Sequence, residues 1–171
     1  VTVMALIALV NLFLVFNSIY GYQQAFIATA GSAGNAMTAF ETAILPADHV
    51  LTSHSFSGTT YSSSATVLVL EMPAVDSSGN VIAGTFDYVA FYPSAAILYR
   101  RILAGAGSTR VSGLKQLSTT LNSLSFSYND VDFTKVTNVT ADIQTQALFK
   151  QQTVQSHLSE QMYLRNFQPL L

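Results

Sequence analysis

The chain contains no cysteine and few charged residues. Only 9% of its 171 residues are Asp, Glu, Lys or Arg, against roughly 25% in typical soluble domains. Without cysteine there is no disulfide framework, so the fold must depend on a hydrophobic core. The formal net charge of −2 offers no basic surface, which argues against nucleic acid as a partner.

Charge is missing altogether from the first part of the chain, where Glu41 is the first charged residue. Residues Val1–Tyr20 form a nearly continuous apolar run, and about 20 apolar residues suffice for a helix that spans a bilayer. The run is apolar on every face, unlike an amphipathic surface helix. It also exceeds the apolar segment of a signal peptide, about 7–15 residues. The sequence therefore predicts a helix for a non-aqueous environment.

Helical spacing continues beyond this run, and Pro46 is expected to end the helix. Such a helix is roughly 65–70 Å long, about twice the thickness of a bilayer core. We expect Gly21–Leu45 to pack against a soluble head, and we predict a weak point at Asn17, Ser18 and Gly21 because glycine costs about 1 kcal/mol in a helix. The apolar positions of the second part are spaced i, i+3, i+7 and i+8: Met37, Phe40, Ile44 and Leu45.

From Phe56 onward the apolar pattern alternates with period two, which is typical of strands. Residues 114–124 are ambiguous between a short helix and a crossing loop. The fold class is therefore α+β, with a long N-terminal helix in residues 1–50 and an antiparallel β head in residues 51–171. The predicted strands are 65–72, 84–92, 96–102, 124–128, 136–146 and 153–166.

The order of these segments resembles a type IV pilin or a related pseudopilin. The likeness covers the whole chain. It rests on the apolar start Val-Thr-Val-Met-Ala-Leu-Ile-Ala-Leu-Val, on Phe86–Tyr92 with Leu98–Arg100, on Leu124–Tyr128 and on the ending Met162–Asn166.

The resemblance implies a structural subunit of an extracellular filament, without enzymatic activity, of the kind used in cell adhesion or secretion. Such a subunit waits in the inner or cytoplasmic membrane, is polymerised by pilus assembly machinery and forms a helical homopolymer on the cell surface. The implied filament-core residues are those of the apolar run: Val1, Val3, Met4, Leu6, Ile7, Leu9, Val10, Leu12, Phe13, Leu14, Phe16, Ile19 and Tyr20.

One feature of the family is missing from these residues. The family has a glutamate at the fifth position after its cleavage site and a methylated aromatic residue at the first, where this chain has Ala5 and Val1. We expect either that the glutamate lies upstream of Val1 or that this protein lacks its contact. No processing residue is therefore assigned.

Short motifs for chemistry are weak in this sequence. Ser112-Gly-Leu-Lys115 matches S-x-x-K without its companion motifs, and Gly105–Arg110 lacks the third glycine of a dinucleotide loop. No catalytic or cofactor-binding residue is therefore predicted. No metal-binding residue is predicted either, since the three histidines are scattered in the sequence. Asn138-Val-Thr140 fits a glycosylation sequon. Asp87 is a possible ion-pair partner of Arg100 or Arg101, a solvated edge being the alternative.

Two other functions fit the same pattern. A membrane-anchored extracytoplasmic binding domain would have a spanning helix that ends near Tyr20, followed by a flexible linker at residues 31–34. A secretion-system pseudopilin would share the fold and differ in filament length. In the filament reading, a fragment that starts near Phe40 is expected to be a soluble monomer.

Overall fold

The computed structural model describes residues 2–166 and begins with one unbroken helix. Antiparallel strands follow it, so the predicted α+β class is confirmed. The elements are α1 (Thr2–Ile44), β1 (His49–Val50), β2 (Ser53–Phe56), β3 (Thr59–Ser62), β4 (Leu68–Val75), β5 (Val81–Ser94), β6 (Ile97–Leu103), β7 (Gly113–Ser118), β8 (Leu121–Tyr128), a 3-10 turn (Phe133–Lys135), β9 (Asn138–Phe149) and β10 (Gln152–Tyr163).

The strands form two main sheets and a small hairpin. The five-stranded sheet has the order β1-β4-β5-β6-β7, the three-stranded sheet has the order β10-β9-β8, and β2 pairs with β3. Every pairing is antiparallel. Such sheets bury one face each, and both sheets turn a face toward the second half of α1.

The second half of α1 lies in the core between the two sheets. Phe40 is fully buried and meets Phe91 of the five-stranded sheet edge to face, with ring centroids 4.9 Å apart. On the other side it meets Phe126 of the three-stranded sheet at 5.2 Å. Of the predicted stripe, Met37, Phe40 and Ile44 are confirmed as buried, whereas Leu45 is half-buried and follows the end of α1. The helix is thus part of the head core and joins the two sheets.

This burial extends further toward the N-terminus than the sequence indicates. Thr29, Ala33 and Ala36 are completely buried, and Met37 is 7% exposed. A fragment that starts near Phe40 would lose all four residues. The packing therefore argues against the expectation that such a fragment is a soluble monomer. A fragment that keeps the head core must start before Thr29.

Two segments with weak patterns are strands. Residues 114–124 were predicted as a helix or a loop, but 114–118 belong to β7 and 121–124 to β8, so that prediction is wrong for all but the two residues between the strands. β7 is an edge strand that pairs only with β6, and its side chains are mostly exposed on both faces, which removes the alternation. The prediction of a strand in 153–166 is confirmed by β10, and the inward positions Val139, Ala141 and Ile143 of β9 are buried as expected.

The aromatic residues of β5 divide between two cores. Phe91 faces α1, whereas Ala90 on the opposite face lies under the β2–β3 hairpin with Phe56. On that outer side Tyr92 stacks between Tyr61 and Tyr99, with centroid distances of 4.4 Å and 5.5 Å. Burial and the neighbouring phenols raise the pKa of Tyr92 to about 12, so its hydroxyl is uncharged near neutral pH. It covers the back of the sheet.

Candidate assembly surface

The first half of α1 projects beyond the head and is exposed on every side. The apolar side chains from Val3 to Tyr20 that the sequence assigns to a filament core are each 50–79% exposed. Val1 lies outside the described residues. Eighteen residues at a rise of about 1.5 Å give an arm of roughly 27 Å, close to the hydrocarbon thickness of a bilayer. By length and composition, one helix in the described part of the chain can cross a membrane.

The exposed apolar surface continues past the predicted boundary. Tyr22, Phe26 and Ile27 are 45%, 48% and 69% exposed. The signal for two of them was present in the sequence, because Ile19, Tyr22 and Phe26 follow at i, i+3 and i+7 and so share a helix face. Exposed aromatic and apolar side chains therefore continue along α1 to the point where the helix enters the head.

Gly21 marks the place where the head first touches the helix. The Phe149 ring, at the tip of the β9–β10 hairpin, occupies the space into which a side chain at Gly21 would point. Further along, the buried hydroxyl of Thr145 donates a hydrogen bond of 2.9 Å to the carbonyl of Thr29. The predicted weak point at Asn17, Ser18 and Gly21 is not unwound in this structure, since α1 is continuous through all three residues.

We expect Gly21→Ala to displace the Phe149 ring and to loosen the hairpin tip. Loss of a packed phenylalanine side chain is worth about 1.5–3 kcal/mol, which outweighs the gain of about 1 kcal/mol from replacing a helical glycine. Hydrogen exchange of residues 147–153, in detergent, should become faster.

The matched control is Gly31→Ala, where a new Cβ meets nothing within 4 Å. It should slow exchange in the helix and leave the hairpin tip unchanged. Equal behaviour of the two variants would contradict the proposed role of Phe149.

The only fully buried carboxylate of the described head belongs to Asp87. Its Oδ2 accepts a 2.6 Å hydrogen bond from Arg110 Nη1 and a 2.8 Å bond from the Ser108 hydroxyl, and Oδ1 accepts the Gly105 N–H at 2.7 Å. The suggested pairing with Arg100 or Arg101 is therefore wrong. The Gly105–Arg110 turn is local structure, because three of its groups neutralise a buried charge.

The residues of the short chemical motifs and the histidines have structural partners in residues 2–166. The Ser112 hydroxyl accepts the Ala104 N–H at 2.8 Å. His54 stacks on Tyr88 with a centroid distance of 3.6 Å, and His157 lies 2.8 Å from Asp142. In residues 2–166 no three His, Asp or Glu side chains come together as metal ligands. Asn138 begins β9, and its side-chain oxygen accepts a hydrogen bond from Gln161; its glycosylation stays a prediction.

A groove on one side of the head is not predicted by the sequence. It runs between α1 and strands β6 and β7, from Ile27 to Ala43. Arg100 and Lys115 face each other in the β6–β7 register and line it. The sequence could not place these two cations together, because the pairing of β7 with β6 was not recognised.

Comparison with protein-family models, with curated proteins and with solved structures finds no match. The long apolar helix followed by antiparallel sheets is compatible with a pilin-like fold.

Proposed function

We propose that this chain is a structural subunit of an extracellular type IV pilus-like filament, without enzymatic activity. Its arm is buried in the filament core, and its head faces water. The observation that carries the proposal is the continuity of α1, in which an arm exposed on every face and a half buried in the head form one helix.

The exposed apolar surface of the arm needs a partner that removes it from water. Monomeric soluble proteins rarely expose contiguous apolar patches beyond a few hundred Å², and the arm is apolar around its whole circumference for about 27 Å. Burial of each large apolar side chain contributes about 1.5–3 kcal/mol before entropy is subtracted. A membrane satisfies this surface in the single subunit, and arms of other copies satisfy it in the filament.

The rigidity of the helix favours the filament over a membrane-anchored binding domain. An anchored domain would use a flexible linker at residues 31–34. These residues are helical, and Ala33 between the two glycines is completely buried against the sheets. A head fixed to its arm suits a regular array, since every copy then presents the same surfaces in the same orientation. The pseudopilin alternative shares this geometry and differs in filament length.

Under this proposal the partners are further copies of the chain, the membrane before assembly and the pilus assembly machinery. The location is the cell surface, with the inner or cytoplasmic membrane as the site of the precursor. The low charge is consistent with crowded copies, because like charges repeated by symmetry repel one another.

Electron microscopy of the purified full chain tests the proposal. On removal of detergent we expect filaments of uniform diameter. A chain that starts at Gln23 and lacks the arm is the control and should form none. Dispersed particles from the full chain, with no filaments, would contradict the proposal and favour the anchored domain.

A further inference from the structure

The loop between β8 and β9 presents an apolar tip between two acids. Val131 is 99% exposed, more than any other large apolar side chain of the described head. Its neighbours in sequence are Asp130 and Asp132. A fully exposed valine in a fixed loop gains nothing within the monomer, and only contact with a partner would remove it from water. We call Asp130–Asp132 the knob.

The knob is held in one conformation by hydrogen bonds. Asp130 Oδ1 accepts the Asp132 N–H at 2.9 Å, and Asp132 Oδ1 accepts the N–H and the hydroxyl of Thr134 at 3.1 Å and 2.7 Å. These donors lower the pKa of Asp132, so its carboxylate stays ionised. Because the loop is ordered before contact, little conformational entropy is lost on binding.

The head also has a cavity with an apolar and cationic lining, which we call the socket. Its volume is about 330 Å³, at the lower end of the range for ligand pockets, so it has room for a valine side chain. Apolar groups and two arginines line it together. They are Thr42, Ala43, Met72, Val89, Arg100, Ile102, Arg110 and Val111.

One cation of the socket lacks a partner. Arg110 is bound to Asp87, but Arg100 makes no ion pair within residues 2–166, and its Nε is buried without a hydrogen-bond acceptor. In the knob, Asp132 pairs with Lys135 at 3.3 Å, whereas Asp130 has no ion pair in the described chain. Each surface therefore carries the charge that the other lacks.

We propose that the knob of one copy enters the socket of a second copy, with Val131 against the apolar lining and Asp130 paired with Arg100. This inference rests on the proposed filament. The 3-10 turn that follows the knob contacts β1, at one edge of the five-stranded sheet, whereas the socket is lined by residues of the inner strands β4, β5 and β6 and of the end of α1. Two different patches make a head-to-tail contact, which builds an open helical array when the rotation between copies does not close a ring.

Two single-cysteine chains test the contact. The natural chain has no cysteine, so Val131→Cys in one chain and Val111→Cys in a second, longer-tagged chain supply the only thiols. The chains are mixed in detergent, assembled by its removal and oxidised. We expect the mixed disulfide dimer as the main cross-linked product, because a disulfide forms only when the Cα atoms lie within about 7 Å.

The matched control replaces Val111→Cys by Leu148→Cys, an equally accessible position at the hairpin tip. We expect at least tenfold less mixed dimer from that pair. Filaments without an excess of the 131–111 dimer would overturn the knob-and-socket contact and leave the filament proposal standing. Absence of filaments together with absence of the dimer would overturn both.

A charge exchange gives an independent arm of the test. Asp130→Lys or Arg100→Asp alone should reduce assembly at least tenfold, and the two together should restore it. If the single variants assemble like the natural chain, or if the double variant is no better than either one, the pairing is wrong. Such a result would point instead to a free anion or another protein as the ligand of Arg100.

Discussion

Replacing Leu12 by lysine is expected to abolish filament assembly while the head remains folded. Leu12 lies in the middle of the exposed arm and is 55% exposed, so the head core does not depend on it. An ammonium group at the centre of a membrane helix costs about 2.5–3.5 kcal/mol, which corresponds to roughly a hundredfold in an equilibrium. In a filament core every copy would add one such charge, and the copies would repel one another.

Sedimentation of filaments and electron microscopy after detergent removal measure the loss. Leu9→Lys, at 67% exposure in the same arm, should behave in the same way. The matched control is Val81→Lys, which adds the same charge at an apolar position of similar exposure on the head. Circular dichroism should show a folded head in all three variants. Intact filaments from Leu12→Lys would refute burial of the arm.

Truncation of α1 is expected to separate assembly from folding at a defined position. A chain that starts at Gln23 keeps Thr29 and every helix residue after it, so it should be a soluble, folded monomer. A chain that starts at Phe40 should lose cooperative folding. It lacks Ala33, Ala36 and Met37, and removal of a buried methionine side chain alone costs about 2–5 kcal/mol, against a total stability of about 5–15 kcal/mol.

Size-exclusion chromatography and urea unfolding distinguish these outcomes. The Gln23 chain should elute as a monomer and unfold in one sharp transition. The Phe40 chain should aggregate or unfold without a transition. If both chains unfold with the same midpoint, the second half of α1 is not part of the head core. If the Gln23 chain polymerises, the heads rather than the arm drive assembly.

The strongly periodic segments were predictable because the pattern of apolar and polar residues in each segment depends on which of its faces are buried. A nearly continuous apolar run such as Val1–Tyr20 has no face that suits water. Helical spacing and alternation each indicate one buried side of an element. All six residues that these patterns identified are buried: Met37, Phe40, Ile44, Val139, Ala141 and Ile143. The edge strand β7 shows no such alternation, since its side chains are mostly exposed on both faces.

Contacts distant in sequence were not predictable. Asp87 is neutralised by Arg110 rather than by Arg100 or Arg101, because the turn at Gly105 brings Arg110 back to the middle of β5. Gly21 was interpreted as a weak point, but the Phe149 ring explains its lack of a side chain. Neither pairing is visible in local spacing, since the partners lie on different elements.

By itself the sequence determined that the chain has an apolar helical arm and a β head, because periodicity and missing charge follow from the environment of each residue alone. Only the tertiary structure decided where the arm ends, that the helix is the centre of the head core and where the knob and the socket lie on the head. These features depend on which strands pair and which surfaces are covered, and so on contacts between residues far apart in the chain.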